Sequence, residues 1–181
     1  HLDSSGLRLS QLEAVRGASR VDGWARIPLR LDLSPSIGLD GAGGLDGELE
    51  LNIDGADLLG TNNILAESGG ALSGNILLAG SIDDPALGGR LRLRDGLLRF
   101  ASWEERLESL NIDAVLRGDT LEILSLHARE GLKWSSLPKG ELSGEGWLTG
   151  LGPFRYGMDL DFDHASFGTL PFFTGEISGH L

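Results

Sequence analysis

Cysteine is missing from this chain, so neither a disulfide framework nor a thiolate metal site can form. That lack fits an oxidising compartment, where stray thiols are a hazard. Positive charge is scarce. The 15 Lys and Arg residues face 27 Asp and Glu, for a net charge of -12. A surface of that sign repels nucleic acid and anionic headgroups, which argues against electrostatic binding to either. No apolar run approaches the roughly 20 residues that a membrane-spanning helix requires, and no signal peptide is visible at the N-terminus. Aromatic residues are few (6%) and glycines many (28), a composition that suits numerous strands joined by turns and bulges. A chain of 181 residues is about one domain by size. It opens and closes inside strand-like patterns, as expected of a fragment cut from a longer protein.

What is present is period-2 alternation. Between Leu72 and Phe100, Ile76, Leu78, Gly80 and Ile82 share one side of a run. After Asp84-Pro85-Ala86-Leu87-Gly88-Gly89, Leu91 and Leu93 alternate with Arg90, Arg92 and Arg94. Strand side chains point to opposite faces in turn, so the pattern predicts a sheet with one apolar and one wet face. Similar runs recur. Ala25 to Ser34 is interrupted by Pro28, which predicts an edge strand or a bulge. Leu49, Leu51 and Ile53 form another run after the flexible stretch 38–47, and Met158, Leu160 and Phe162 alternate with Asp159, Asp161 and Asp163. Ile112 to Leu116 and Leu121 to Ala128 flank Gly118-Asp119, a predicted hairpin turn. The apolar phase slips at Arg94-Asp95-Gly96; a glycine bulge in one continuing strand is favoured over a tight hairpin with arms of about four residues. Only Leu9–Val15 and Ala56–Ala66 admit a helical turn or two. Leu-Ser-Gly or Ile-Ser-Gly recurs at Gly74, Gly144 and Gly179, 70 and then 35 positions apart, which suggests a repeating array.

No residue set with chemistry emerges, and no catalytic residue, metal site or cofactor is expected. Asp159, Asp161, Asp163 and His164 look like metal ligands, but a calcium loop starting at Asp159 needs Gly where His164 stands and Glu where Leu170 stands. The three carboxylates are better read as the wet face of their strand. The four histidines are scattered, and the glycines of 41–47 lack the Lys and Ser/Thr of a phosphate loop. Arg117-Gly118-Asp119 reads as a hairpin tip rather than an adhesion tripeptide. Trp24, Trp103, Trp134 and Trp147 stand singly, and Glu104-Glu105-Arg106 reads as a solvated bend.

The succession Gly80-Ser81-Ile82-Asp83-Asp84-Pro85, then Gly88 to Phe100, followed by Leu107 to Ala114, Gly118 to Ile123 and Gly140 to Gly146, resembles the repeat of the TamB family. These are the inner-membrane-anchored subunits of the translocation and assembly module. The resemblance spans most of residues 20–181: leading strands over about 20–70, a repeat unit over 71–140 and the start of the next over 141–181. It implies an all-β fold, a curled antiparallel or mixed sheet forming an elongated β-taco with a hydrophobic concave groove. It also implies a periplasmic location, as part of an inner-membrane-anchored protein of a Gram-negative bacterium. The implied partners are an outer-membrane barrel of the Omp85 class and, as cargo, phospholipid or unfolded outer-membrane β-strands. The implied role is support of outer-membrane protein assembly or of lipid transport between membranes. Candidate groove residues are Leu29, Leu31, Leu51, Ile53, Leu78, Leu91, Leu93, Ile112, Leu160 and Phe162. Periodicity by itself leaves a filled core and an open groove equally open; the resemblance favours the groove. A structural or adhesive β-solenoid of a secreted protein is the alternative, and an enzyme or sugar-binding sandwich a third possibility. End strands left bare invite pairing with another copy.

Overall fold

The computed structural model describes residues 2–3, 6–31, 37–39, 43–54, 65–101, 106–131, 140–150, 155–163 and 177–178. Alternating side chains with frequent glycine make strands in nearly all of these. They are β1 (Leu2–Asp3), β2 (Gly6–Arg16), β3 (Ser19–Ile27), β4 (Leu29–Leu31), β5 (Ile37–Leu39), β6 (Asp46–Asp54) and β7 (Leu65–Gly80). The second half supplies β8 (Pro85–Phe100), β9 (Arg106–Arg117), β10 (Thr120–Gly131), β11 (Glu141–Thr149), β12 (Arg155–Asp163) and β13 (Ile177–Ser178). Eleven form one sheet in the order β1-β2-β3-β6-β7-β8-β9-β10-β11-β12-β13, while β4 and β5 pair apart from it. The sheet is an antiparallel meander except for the two-residue parallel pairing of β13 with β12, and it does not close into a barrel.

Three local features explain the register. Gly118 and Asp119 form the two-residue link between β9 and β10, with Gly118 at φ +64, a left-handed angle open to glycine at no steric cost. The phase slip at Arg94-Asp95-Gly96 is a bulge inside a continuous β8: Leu93 pairs with Ile112, and the next partner pair is Gly96 with Leu110. Asp95 takes φ +49 there, and the facing Gly70 takes φ +115. A side chain at Gly70 would stand 2.7 Å from the Gly96 Cα, so the bulge has room only for glycine at that position. Further bulges fall in β10, between Ile123 and Leu126, and in β2, between Leu9 and Leu12.

Two expectations are corrected. Leu9–Val15 is not a helical turn but the middle of β2, hairpinned to β3. The bulge adds a residue between Leu9 and Leu12, so the two leucines share a face at a spacing of three, which imitates helical periodicity. The run from Ala25 to Leu31 is not one strand, and β3 is not an edge. It lies between β2 and β6 and stops at Ile27, because Pro28 has no N–H to give the ladder. Most of Ala56–Ala66, the charged bend at 104–105, Trp103, Trp134, His164 and Gly179 lie outside the described residues.

Candidate functional site

Residues directly opposite one another in an antiparallel pair point to the same face. The register therefore assigns every strand's apolar set. Leu7 faces Ile27 across β2 and β3, and Val21 faces Leu51 across β3 and β6. Ile53 then faces Leu72, Leu72 faces Leu93, and Leu93 faces Ile112. Beyond the β10 bulge, Ile112 faces Leu126; further along, Ala128 faces Leu142, and Leu160 of β12 comes to the same side opposite Gly144. Nine consecutive strands, β2–β3 and β6–β12, thus turn most of their aliphatic side chains to one face; Val15, Leu77 and Val115 stand on the other, where Val15 and Leu77 are exposed.

Seven of the ten candidate groove residues lie on this face: Leu51, Ile53, Leu78, Leu91, Leu93, Ile112 and Leu160; the side chain of Phe162 lies outside the described ones. Leu29 and Leu31 are not on this face. Pro28 ends β3 ahead of them, and they stand in β4, paired with β5 outside the large sheet.

The face is covered unequally. Its buried residues, Leu110, Ala114, Ile123, Leu126, Ala128, Leu142 and Leu160, form one cluster on β9–β12, with Leu110 and Ala114 at 2% exposure. Leu93, Leu98 and Leu107 pack against it. This is where β8, β9 and β10 carry adjacent bulges, which bend strands and increase twist, so the sheet draws its apolar side chains together there. Across β2, β3, β6 and β7 the same face is only half-buried. Leu9, Val21, Leu49, Leu51, Ile76 and Leu78 all keep part of their surface in solvent. No apolar side chain of those four strands is fully buried among the described residues. A second layer packed on them, as in a sandwich, would bury them.

At one end of the face sits a group that the apolar pattern does not announce. Glu130, the last residue but one of β10, pairs in register with Leu107 and is 1% exposed. Nearby, Arg106 pairs with Glu108.

The opposite face is polar and carries the sheet's clefts. One of about 830 Å³ is lined by His127, Arg129, Glu141, Asp161 and Asp163, among others; another of about 1090 Å³ lies beside Trp147, whose ring stands against Gly157. Asp159, Asp161 and Asp163 are exposed on this face, as their alternation with Leu160 implies. Among the described residues, no three His, Asp or Glu side chains come together as a metal site would need. On β8 the guanidinium groups of Arg90, Arg92 and Arg94 all reach Asp113 of β9, at 3.6, 3.0 and 2.9 Å. The hydrogen bond from Arg94, with a second from Arg92, holds the Asp113 carboxyl below the ordinary carboxylate range. The alternation showed the three arginines on one side; their partner, some 20 residues away in sequence, is named only by the register.

No family model, curated protein or solved structure matches the chain.

Proposed function

We propose that this chain is a segment of a periplasmic hydrophobic conduit, of the TamB-like kind that its repeat resembles, and that the apolar face is its working surface. One observation carries the reading: nine antiparallel strands hold most of their aliphatic side chains on one face, and on β2, β3, β6 and β7 those side chains stay half-exposed. A surface of this sort holds acyl chains or the apolar side of an extended outer-membrane strand by area alone. Each methylene withdrawn from water contributes about 0.8 kcal/mol, without specific contacts. A curl of the sheet around that cargo into a β-taco is part of the proposal. So are a link to an Omp85-class barrel and the anchoring of the full protein in the inner membrane. The edges of β2 and β12, paired with β1 and β13 over two residues each, are where a neighbouring strand of the assembly or a second copy would add on.

The antiparallel meander speaks against a structural solenoid, whose coils stack strands in parallel. The test is photo-crosslinking in the periplasm, with a benzophenone side chain placed at Leu51 or Leu78 on the apolar face and at Asn52 or Leu77 on the polar one. Adducts to phospholipid or to unfolded outer-membrane protein are expected from the first pair alone. Equal adducts from both pairs, or none from Leu51 and Leu78, would sink the reading.

A further inference from the structure

Most arginines with an ion pair in the described sheet meet carboxylates at least one for one: Arg99 with Glu67, Arg117 with Glu122, Arg129 with Glu141, and Arg20 with both Glu13 and Asp22. The β8 ladder breaks that pattern. Three guanidiniums share one carboxylate, so Arg90, Arg92, Arg94 and Asp113 together carry two positive charges on a chain whose net charge is -12. The arginines are 51, 49 and 46% exposed, against 20% for Asp113.

The surroundings offset that charge only in part: Asp95 follows Arg94 in the β8 bulge and borders the same cleft, and the other neighbours are mostly uncharged. On β7, Ala71, Ser73 and Asn75 stand opposite Arg94, Arg92 and Arg90, and none of them is charged. Asn75 Oδ1 accepts the Arg90 backbone N–H at 3.3 Å. On β9, Val115 stands opposite Arg90, and on β10 Ser125 stands opposite Asp113. Glu122, opposite Val115, is engaged by Arg117 at 2.8 Å. The next carboxylates on the β6 side, Glu50 and Asp54, lie two strands from the ladder, roughly 10 Å away, about one Debye length at physiological salt. Each guanidinium has five donors in a planar fork, and the two oxygens of Asp113 cannot occupy all fifteen.

We propose that Arg90, Arg92 and Arg94 form a binding site for a phosphoryl group, with Asp113 as the internal anion that keeps the three side chains gathered when the site is empty. A phosphate offers more oxygens and more charge than one carboxylate, and the fork geometry of arginine matches it in bidentate fashion. The local charge thus runs against the expectation, drawn from the whole chain, that anionic groups are repelled. The site lies on the face opposite the apolar one, so it does not depend on the conduit reading. The phosphoryl group could belong to a lipid headgroup or be free phosphate.

Two probes separate those sources: inorganic phosphate, followed by the arginine Nε–Hε resonances of the intact chain, and vesicles of phosphatidylglycerol against phosphatidylcholine, followed by flotation. Phosphate is expected to shift the Arg90, Arg92 and Arg94 signals, where chloride at equal ionic strength does not. The double variant Arg92→Gln/Arg94→Gln should lose about tenfold or more in affinity. Arg92→Lys, which keeps the charge and removes the fork, should lose less. Asp113→Asn, which frees donors, should tighten binding. A response to phosphatidylglycerol vesicles but not to phosphate assigns the site to a lipid headgroup, and the reverse assigns it to a free phosphate. Silence of the arginine signals to both probes overturns the proposal. So does binding that survives the double variant, provided its circular dichroism matches that of the parent, or an Asp113→Asn variant that binds more weakly.

Discussion

Exchanging Leu51 and Leu110 for Asp, one at a time, separates an open apolar face from a filled core. Both leucines belong to the same face, Leu110 on β9 at 2% exposure and Leu51 on β6 half-buried. Cutting a fully buried leucine back to alanine costs about 3–5 kcal/mol, of which the cavity left behind is a large share. Asp at Leu110 would add a desolvated carboxylate with no partner provided for it. Against a total stability of about 5–15 kcal/mol, Leu110→Asp should be largely unfolded. At Leu51 two methyl groups are lost and Cγ becomes a carboxyl carbon, so the apolar burial of three carbons goes, worth at most about 2.4 kcal/mol. Water already touches that part of the face, so no sealed cavity forms, and the carboxylate can reach solvent. Leu51→Asp should therefore cost about 1–2 kcal/mol and stay folded. Urea unfolding, followed by far-ultraviolet circular dichroism and tryptophan fluorescence, reads this as a fall in midpoint of about 1 M or less. If Leu51→Asp unfolds the chain as completely as Leu110→Asp, the N-terminal strands are covered and the open-face argument fails.

Gly70→Ala should destabilise by about 2 kcal/mol or more, because the new carbon meets the Gly96 Cα at 2.7 Å and the backbone sits at φ +115; a midpoint within error of the parent would remove the bulge from its place in the register. Gly118→Ala, with open space around the added carbon, should cost only the left-handed strain of φ +64, about 1 kcal/mol; a loss as large as that of Gly70→Ala would contradict this ranking. Asp113 has a folded pKa lowered by Arg94 and Arg92, so its contribution is fully present above the unfolded carboxylate value near 3.9 and fades as pH falls through the folded value. The stability gap between the parent and Asp113→Asn should accordingly be flat from about pH 5 to 7 and narrow in acid; a gap that widens below pH 4 would refute the assignment.

The alternation of Leu49-Leu51-Ile53, Leu91-Leu93 and Leu160-Phe162 made strands and their apolar sides legible, since period 2 is a property of the backbone and needs no partner. The bulge at Asp95 was legible for the same reason: it displaces the period by one and leaves leucines on both sides of the slip. The identical event in β2 misled, because a single insertion between Leu9 and Leu12 leaves too short a run on either side to reveal period 2. The limits lay where meaning depends on a distant partner. Asp113 became the centre of an arginine cluster only through the pairing of β8 with β9. Glu130 interrupts an apolar alternation in the sequence, and only the register opposite Leu107 shows that it is buried on that side. Pro28 was legible as a break in the ladder, but its consequence, the removal of Leu29 and Leu31 from the large sheet, needed the topology.

Dimensions say what such a face can hold. Nine strands at about 4.8 Å spacing extend the apolar face by about 38 Å across the strands, beyond the roughly 30 Å hydrocarbon core of a bilayer. Successive strands rotate by about 20–25°, so over that distance the face turns through nearly half a revolution, and an occupant must follow a spiral rather than lie in a straight slot. A flexible acyl chain or an extended polypeptide can do so; a rigid polycyclic ligand cannot. Adhesion that grows with every methylene covered also has no single anchor. Removal of one half-exposed leucine therefore subtracts only its own share of area, whereas one carboxylate on the floor must be desolvated by any cargo that passes over it. If the face serves as the proposed conduit, it should tolerate aliphatic drift almost anywhere along its length and be blocked by charge almost anywhere, the reverse of a site in which a few residues do the chemistry.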